Sequence, residues 1–235
     1  MNQTAHFESL AWPCIAQALD TEGYAILPAL LTAKECAALT TLYAEDEQFR
    51  SRVIMARHGY GRGEYKYFDY PLPRLVGDLR ATFYAPLCKI ANRWNEAMGI
   101  ATRFPGTFDA FTQQCHAAGQ SKPTPLLLKY EADDYNCVHQ DLYGEMVFPL
   151  QMAFLLSSPG HDFTGGEFIM TEQRPRMQSR GMVVPLQQGD AVVFPVRQRP
   201  VQGTRRQYRV NMRHGVSKIR AGQRHTLGVI FHDAR

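Results

Sequence analysis

The pattern of apolar and polar positions divides the chain near residue 120. In the first part, apolar residues recur at helical spacing in "LAWPCIAQALDTEG", "LTAKECAALTTLYAEDEQF" and "LVGDLRATFYAPLCKIANRWNEAMG". The second segment opens with Thr32 and has Glu35 three residues later, which is the spacing of a capping box. "PGTFDAFTQQCHAAG" predicts one more helix, and "YAILPALL" predicts a short strand that leads into a turn. We therefore expect residues 1–120 to be mostly helical.

The second part has a different pattern, in which short apolar runs alternate with turn residues. These runs are "TPLLLKY", "FPLQMAFLLS", "GGEFIM", "GMVVPL", "DAVVFP", "QYRVNMRHGVSKI" and "RHTLGVIF". Short strands at such spacing are typical of a sandwich or jelly roll. No repeat or linker interrupts the chain, so we expect a single domain over residues 1–235. Its fold class is mainly β with α, a cupin-like jelly-roll core over 121–235 that carries a helical N-terminal layer.

One segment between the helices follows neither period. It is "ARHGYGRGEYKYFDYPLP", residues 56–73, which is rich in glycine, tyrosine and charge. We predict a loop here. Its rings are candidate substrate contacts, because irregular loops near a barrel mouth often present such sites. The candidates are Tyr60, Tyr65, Tyr67 and Phe68, together with Tyr143 beyond the segment; an aromatic cluster that tethers the helices to the sheet is the other interpretation.

Composition narrows the class of protein only slightly. The chain is 45% hydrophobic and 20% charged, as in ordinary globular proteins. It has no apolar run of about 18 residues, and its start lacks the basic and apolar regions of a signal peptide, so we expect a cytoplasmic protein without a membrane partner. The five cysteines form no C-x-x-C pair, which favours reduced thiols. Cys137 is close to His139, but we do not count it as a metal ligand.

Charge is unevenly distributed along the sequence. Residues 174–224 contain eleven arginines, one lysine and one acidic residue, which gives a net charge of +11. Such an excess indicates an anionic partner, which could be a carboxylate cosubstrate, an acidic protein or a nucleic-acid backbone. A solvated face neutralised by acids elsewhere is the alternative.

The stretch "NCVHQDLYGE", residues 136–145, contains the first candidate chemistry. His139 and Asp141 are two positions apart, so their side chains share a face only in extended structure, which the flanking apolar runs favour. His214 follows in a later predicted strand. Two histidines and one carboxylate on the inner face of a barrel are the donor set that holds ferrous iron with open coordination positions.

Three further residues fit a cosubstrate of this iron site. A 2-oxo acid with a second carboxylate needs a cation deeper in the pocket, and arginine offers a planar fork for two hydrogen bonds. Arg224 lies ten residues after His214, and Thr226 shares its strand face. Tyr130 lies nine residues before His139, on the strand that precedes it, and could donate a second hydrogen bond. We assign His225 and His232 structural roles.

These motifs together resemble the iron(II)- and 2-oxoglutarate-dependent dioxygenases, and within them the prolyl hydroxylase-like branch. The similarity covers residues 124–235 and includes the "HQD" motif, His214, "FTGGEFIM" and "QQGDAVVFP". With "GYGRGEYKYF", "KPTPLLLKY", "HQDLYGE" and "RPRMQSR", the whole chain also resembles a bacterial family of 2-oxoglutarate oxygenases of unknown substrate. The resemblance implies that His139, Asp141 and His214 bind iron.

The resemblance also implies the cosubstrates. Arg224 would hold the C5 carboxylate of 2-oxoglutarate, with Tyr130 close to the same molecule. Dioxygen would be consumed, succinate and carbon dioxide would be produced, and ascorbate could serve as a reductant. No catalytic side chain beyond the metal site is implied.

Several functions remain open. Hydroxylation of a protein, including at proline, or of a small molecule is favoured. An AlkB-type oxidative demethylase of nucleic acid is the alternative; the +11 stretch favours it, whereas the absence of an R-x-N-x-T-x-x-R motif disfavours it. A non-catalytic sensor of metal or 2-oxoglutarate is a third hypothesis. A zinc hydrolase could use the same three ligands, but it would leave Arg224 unexplained. The sequence predicts neither the substrate nor the oligomeric state.

Overall fold

The computed structural model describes residues 10–204 and 207–235. Within these ranges the α-helices are α1 (Trp12–Thr21), α2 (Ala33–Thr41), α3 (Arg74–Ala97) and α4 (Phe108–Ala117). Short 3-10 helices cover Leu42–Ala44, Asp46–Gln48 and Met55–Arg57. No helix in the described ranges has both the length and the apolar character needed to span a membrane.

The strands belong to three antiparallel sheets. The first part of the chain provides β1 (Ala25–Leu27), β2 (Phe49–Ile54), β3 (Gly61–Arg62) and β4 (Glu64–Phe68). The middle provides β5 (Leu126–Tyr130), β6 (Tyr135–His139), β7 (Leu150–Leu155), β8 (Phe163–Gly165), β9 (Phe168–Gln173) and β10 (Arg180–Val184). The last part provides β11 (Ala191–Pro195), β12 (Gln198–Gln202), β13 (Gln207–Val216), β14 (Ile219–Gly222) and β15 (Arg224–Ile230).

Two of these sheets form the body of the fold. The major sheet has the order β1-β11-β7-β15-β5-β4-β2. The minor sheet has the order β10-β9-β13-β6-β3, with β12 also paired to β13, and β14 pairs with β8 separately. The predicted fold class, mainly β with helices, is confirmed.

The core has two layers, one on each face of the major sheet. Strand β15 illustrates the division: Leu227 and Val229 pack into a cluster with the helices, whereas Arg224 and Thr226 face the space between the sheets. This follows from the alternation of side chains along a strand. The helix-side cluster includes Phe83, Tyr84 and Trp94 of α3, and the inter-sheet cluster includes Tyr130, Phe168, Phe194 and Met212.

The helix predictions agree with the structure except at the end of the second segment, where α2 ends at Thr41 and Phe49 begins β2. α2 begins with the predicted capping box: Thr32 Oγ1 accepts the Glu35 N–H at 3.3 Å, and Glu35 Oε2 accepts the Thr32 N–H at 2.8 Å. These two bonds satisfy backbone donors that a helix N-terminus otherwise leaves unpaired. α3 ends two residues before Gly99, which has a φ of 66°. That left-handed conformation favours glycine.

The loop prediction for residues 56–73 was wrong in part. β3 and β4 lie in this segment, and β4 joins the major sheet beside β5. The sequence pattern did not indicate β4 because of Lys66, a charged residue at a position where a half-buried strand usually has an apolar one. It is only 5% exposed, and its ammonium donates to the Tyr43 carbonyl at 2.8 Å and to Asp46 Oδ1 at 2.6 Å. Phe68, a suggested substrate contact, instead stacks on Phe49 in the helix-side core.

Candidate active site

The minor sheet brings the three predicted metal ligands together. His139 ends β6 and lies directly opposite His214 of β13 in the strand register. Asp141 follows two residues later, and its Oδ1 lies 3.4 Å from His139 Nε2 while its Oδ2 lies 3.2 Å from His214 Nε2. One ligand atom from each residue lies within 4.8 Å of the others. Three side chains that converge in this way can hold one metal ion.

A hydrogen bond to the backbone orients the His139 ring for metal binding. Its Nδ1 lies 2.7 Å from the carbonyl oxygen of Cys137, so Nδ1 carries the proton and donates it. The lone pair is then on Nε2, the atom that faces Asp141. Such a bond to a backbone carbonyl is the usual way in which proteins orient a metal-binding imidazole.

Electrostatics favours the protonation states that a metal requires at Asp141 and His214, but not at His139. Burial would raise the pKa of Asp141, but His214 and His139 hold that pKa well below its usual range. Burial and the charge of His139 lower the pKa of His214. Burial would also lower the pKa of His139, yet its contacts with Asp141 raise that pKa above the ordinary value. The result is an ionised carboxylate beside a neutral His214.

Arg224 lies in the same cavity, without an anionic partner. It is 1% exposed and sits directly opposite Tyr130 in the pairing of β15 with β5. Its Nη1 donates to Thr226 Oγ1 at 2.5 Å, whereas its Nε has no partner. Burial lowers the pKa of Arg224 to about 10. Within residues 10–204 and 207–235 it forms no ion pair, so it is available to an anionic ligand.

A cavity of about 440 Å³ joins these groups. Along β15 its wall consists of Arg224, Thr226, Gly228 and Ile230, which are successive residues on one strand face. At about 3.4 Å per residue, Arg224 and Ile230 are about 20 Å apart. The metal ligands line the same space, and the ring of Phe194 lies 4.7 Å from that of His214.

The predicted substrate contacts divide into two groups. Tyr60, Tyr65 and Tyr143 line the cavity, and Tyr60 is 50% exposed at its mouth. Tyr67 does not line the cavity: it is 8% exposed and donates a hydrogen bond to the hydroxyl oxygen of Tyr143 at 3.0 Å. The contact of these rings with substrate remains a prediction.

Sequence reasoning missed two cavity residues. Gln151 of β7 is 2% exposed, lines the cavity and has an Nε2 atom without a partner. Asn136 of β6 also lines the cavity, and its Nδ2 donates to the Tyr130 hydroxyl at 3.2 Å. A glutamine in the apolar run "FPLQMAFLLS" was a signal for Gln151, because a buried amide in a strand needs a partner.

The remaining histidines of this region lie outside the cavity wall. His225 alternates with Arg224, is 6% exposed and packs edge-on against Tyr43 at 5.8 Å between ring centroids. His232 is fully buried, and its Nδ1 accepts the backbone N–H of Phe148 at 3.2 Å. Neither belongs to the group of possible metal ligands within the described ranges. Their predicted structural roles agree with these contacts.

Part of the +11 stretch is neutralised within the fold. Glu172 pairs with Arg199, with which it is buried, and with Arg174 at 2.9 Å. Lys218 pairs with Asp133 at 2.6 Å. Arg205 and Arg206 lie outside the described residues. The excess therefore combines internal ion pairs with exposed arginines such as Arg213.

Comparison with solved structures places the fold among the 2OG-Fe(II) oxygenases. The oxidoreductase of that family from Burkholderia pseudomallei has a TM-score of 0.55 at 16% identity, over 96% of this chain and 93% of that one. A prolyl hydroxylase from Trichoplax adhaerens, in complex with a hypoxia inducible factor peptide, has a TM-score of 0.55 at 14% identity, over 98% and 92%. A Pseudomonas putida prolyl-4-hydroxylase has a TM-score of 0.53 at 14% identity, over 95% and 99%.

Sequence comparison gives the particular family. The chain belongs to the Oxygenase-NA family, whose model matches residues 63–234 and is described as "Oxygenase, catalysing oxidative methylation of damaged DNA". Two relatives from Mycobacterium tuberculosis, the uncharacterized proteins MT2286 (strain CDC 1551 / Oshkosh) and Rv2227 (strain ATCC 25618 / H37Rv), are each 48% identical over 167 residues. That alignment covers 71% of this chain and 72% of each relative. The protein is thus an oxygenase with the fold of the 2OG-Fe(II) enzymes.

Proposed function

We propose that His139, Asp141 and His214 hold Fe(II) and that Arg224 binds 2-oxoglutarate, so that the protein is an iron(II)- and 2-oxoglutarate-dependent dioxygenase. The observation that carries this proposal is the pairing of two features in one cavity. One is a His, Asp, His cluster with ligand atoms within 4.8 Å. The other is a buried arginine whose Nε has no partner. A 2-oxo acid with a second carboxylate satisfies both features with one molecule.

The donor set fits ferrous iron. Two neutral imidazoles and one carboxylate leave coordination positions open for a bidentate 2-oxo acid and for dioxygen. Bound iron would supply the oxidative chemistry, in which dioxygen and 2-oxoglutarate give succinate, carbon dioxide and an oxidised substrate.

The remaining work belongs to this chain's own side chains. Arg224 would bind the far carboxylate through its guanidinium, and Thr226 orients that guanidinium. Tyr130, fully buried opposite Arg224, has a hydroxyl held by Asn136. The rings of Phe168 and Phe194 pack against His214 and shield this side of the ligand cluster from water. Position and exclusion of water are therefore the protein's contributions.

The substrate would enter past the rings at the cavity mouth. Tyr60 is half exposed there, and its ring stacks on His58 at 5.3 Å between centroids. Gln151 lies opposite Ile230 in the strand register, at the end of β15 away from Arg224, and its free amide could bind a polar group of the substrate. A carbon of a protein or small molecule is our first candidate for hydroxylation, supported by the peptide-bound prolyl hydroxylase of similar fold.

Oxidation of a damaged nucleic acid is the second candidate. The description of the family favours it, and so do the stacked rings of Tyr60 and His58, since bases stack on aromatic side chains. It predicts binding of single-stranded DNA that weakens steeply with salt. Formaldehyde release from an oligonucleotide with a methylated base would support this candidate, whereas absence of both binding and release would remove it.

Succinate formation tests the proposal before the substrate is known. We would incubate the protein with 2-oxoglutarate, Fe(II) and ascorbate under air and compare it with Asp141→Ala, Arg224→Ala and the control His161→Ala, whose side chain is 86% exposed. We expect succinate from the wild type and the control, none from Asp141→Ala, and recovery of Arg224→Ala at high 2-oxoglutarate. Failure of the metal-loaded wild type to form succinate or to bind 2-oxoglutarate would overturn the proposal.

A further inference from the structure

Two tyrosines form a hydrogen-bond chain that ends on the carboxylate of the candidate metal site. The Tyr67 hydroxyl donates to the Tyr143 hydroxyl oxygen at 3.0 Å, and the Tyr143 hydroxyl donates to Asp141 Oδ1 at 2.9 Å. The Asp141 side chain is 12% exposed, and Tyr67 is 8% exposed. The chain therefore lies inside the protein, where hydrogen bonds have little competition from water.

The direction of this chain is fixed by the number of protons. A phenol has one proton to donate. Because an ionised carboxylate can only accept, Tyr143 donates its single proton to Asp141 Oδ1, and its hydroxyl oxygen accepts the hydrogen bond of Tyr67. Oδ1 also lies 3.4 Å from His139 Nε2, whereas Oδ2 lies 3.2 Å from His214 Nε2 and receives no hydrogen bond from Tyr143. The two oxygens of Asp141 thus have different surroundings.

We propose that Tyr143 is a positioning residue for Asp141, and that it holds Oδ1 so that the carboxylate offers Oδ2 to the metal. The proposal rests on the metal site proposed above. Tyr67 acts one step further away by orienting the Tyr143 hydroxyl. Both tyrosines were candidate substrate contacts in the sequence, and the hydrogen-bond chain gives them a different role.

The surroundings hold both rings in place. The Tyr67 ring meets that of Tyr143 edge-on, at 6.2 Å between centroids and 88° between planes. On its other side, the Arg50 guanidinium carbon lies 4.6 Å from the Tyr67 ring centroid. Gln120 binds the Tyr143 carbonyl at 3.3 Å. Tyr67 of strand β4 and Gln120, which follows α4, thus both contact Tyr143, and Tyr143 contacts the carboxylate of Asp141.

The test is the binding of Co²⁺ by the metal-free full-length protein, measured by calorimetry and by the visible absorption of the bound ion. Loss of an outer hydrogen bond to a metal ligand typically costs about 10–100-fold in metal affinity. We expect Tyr143→Phe to weaken Co²⁺ binding by about that factor and to change the spectrum, and Tyr67→Phe to do so less. Tyr135→Phe is the control, because it removes a partly exposed hydroxyl from the strand that carries His139.

A double variant distinguishes positioning from general loss of packing. If Tyr67 acts only through Tyr143, then Tyr67→Phe with Tyr143→Phe binds Co²⁺ no more weakly than Tyr143→Phe alone. Thermal unfolding of the metal-free variants verifies that they are folded. Equal Co²⁺ affinity and equal spectra for wild type and Tyr143→Phe would overturn the positioning role and leave the metal site standing. Absence of Co²⁺ binding by the wild type would overturn the proposed function and this inference with it.

Discussion

At the scale of single residues, the buried charge of Arg224 lowers the stability of the ligand-free fold but can bind an anionic ligand. Its guanidinium is buried, and it lies over the rings of Tyr130 and Phe163, at 5.7 and 5.8 Å from the guanidinium carbon. We expect Arg224→Met to raise the free energy of unfolding of the ligand-free protein by about 1–4 kcal/mol, the range for replacing buried ionic groups with apolar ones. The same change should weaken 2-oxoglutarate binding by about 100-fold or more, since a buried charge pair is lost.

Urea unfolding and calorimetric titration of Mn²⁺-loaded protein with 2-oxoglutarate check both parts of this prediction. Arg220→Met is the matched control, because Arg220 is an exposed arginine on the neighbouring strand β14. It should leave both quantities unchanged. A variant Arg224→Met that lost stability yet bound 2-oxoglutarate normally would show that the arginine is structural.

The convergence of the predicted metal ligands with Arg224 in one cavity could be predicted from the sequence, because the chemistry of these residues is visible locally. Arg224 and Thr226 are two residues apart within β15, so strand alternation gives them a common direction. His139 and Asp141 have the same spacing, and their side chains converge although β6 ends at His139. The role of Tyr143 could not be predicted in this way. Its contact with Tyr67 joins residues 76 positions apart. Such a contact depends on strand β4, and the sequence pattern did not indicate that strand.

At the scale of elements, one glutamine fixes the loop between β6 and β7. Gln120 is fully buried, and its Oε1 accepts the backbone N–H groups of Glu145 and Met146 at 2.9 and 2.7 Å. Its Nε2 donates to three carbonyls, including that of Asp233 at 2.6 Å. We expect Gln120→Ala to lower the free energy of unfolding by about 2–4 kcal/mol, because it leaves several buried backbone groups unpaired. It should also weaken metal binding, since Asp141 begins this loop.

Chemical denaturation and Co²⁺ titration measure the two effects. Gln113→Ala is the control: Gln113 lies in the preceding helix, α4, and is exposed. We expect it to change neither quantity by a measurable amount. Equal stability of the two variants would contradict the assigned role of Gln120. Gly144 supports the role, because a Cβ there would lie 2.5 Å from the Gln120 side chain.

The sequence predicted those elements whose apolar residues follow a regular helical or strand period. α2 and α3 have regular apolar faces with a capping box or a glycine at an end, and the sequence predicted both. β4 reads "EYKYF", in which Lys66 faces the helices and Tyr67 faces away from them. Its buried lysine is paired through tertiary contacts, and such pairing is invisible in a local pattern. The same reason hides β2, where Arg50 and Arg52 are partnered from elsewhere.

At the scale of the whole molecule, a buried ion pair joins the helices to the end of the chain. Arg80 of α3 and Asp233 are each 1% exposed, with Nη2 and Oδ1 2.6 Å apart. Arg80 also donates to the carbonyls of Ile230 and Phe231, each at 2.9 Å. We expect Arg80→Met to lower the free energy of unfolding by about 3–5 kcal/mol, because the Asp233 charge is left buried without it.

A second arginine of the same helix provides the comparison for this prediction. Arg93 pairs with Asp20 at 2.9 Å, but its side chain is 51% exposed. Exposed pairs contribute little, so Arg93→Met should cost at most about 1 kcal/mol. The double variant Arg80→Met with Asp233→Asn should lose less stability than the sum of the two single variants. The reason is that Asp233→Asn removes the buried charge that Arg80→Met leaves without its arginine partner. Equal losses for Arg80→Met and Arg93→Met would refute the role of the buried pair.

Two buried histidines near the end of the chain make the whole fold sensitive to acid. Burial lowers the pKa of His225 and of His232 to about 4 each. In the unfolded chain both titrate near the ordinary value of about 6.5. Between these values the unfolded state binds more protons than the folded state, so stability falls as pH falls. The slope should be about 1.4 kcal/mol per pH unit for each histidine.

Substitution of each histidine separates this effect from the titration of other groups. In urea unfolding between pH 7 and pH 4.5, His225→Gln and His232→Gln should each reduce the decline in stability by about one histidine's share of the slope. His161→Gln, at a position whose side chain is 86% exposed, is the control and should reproduce the wild-type curve. Parallel curves for all four proteins would mean that the two histidines take up protons without unfolding. The dependence of stability on pH would then come from the carboxylates alone. The segment that carries His225 and His232 would have to open to water while the rest of the fold persists.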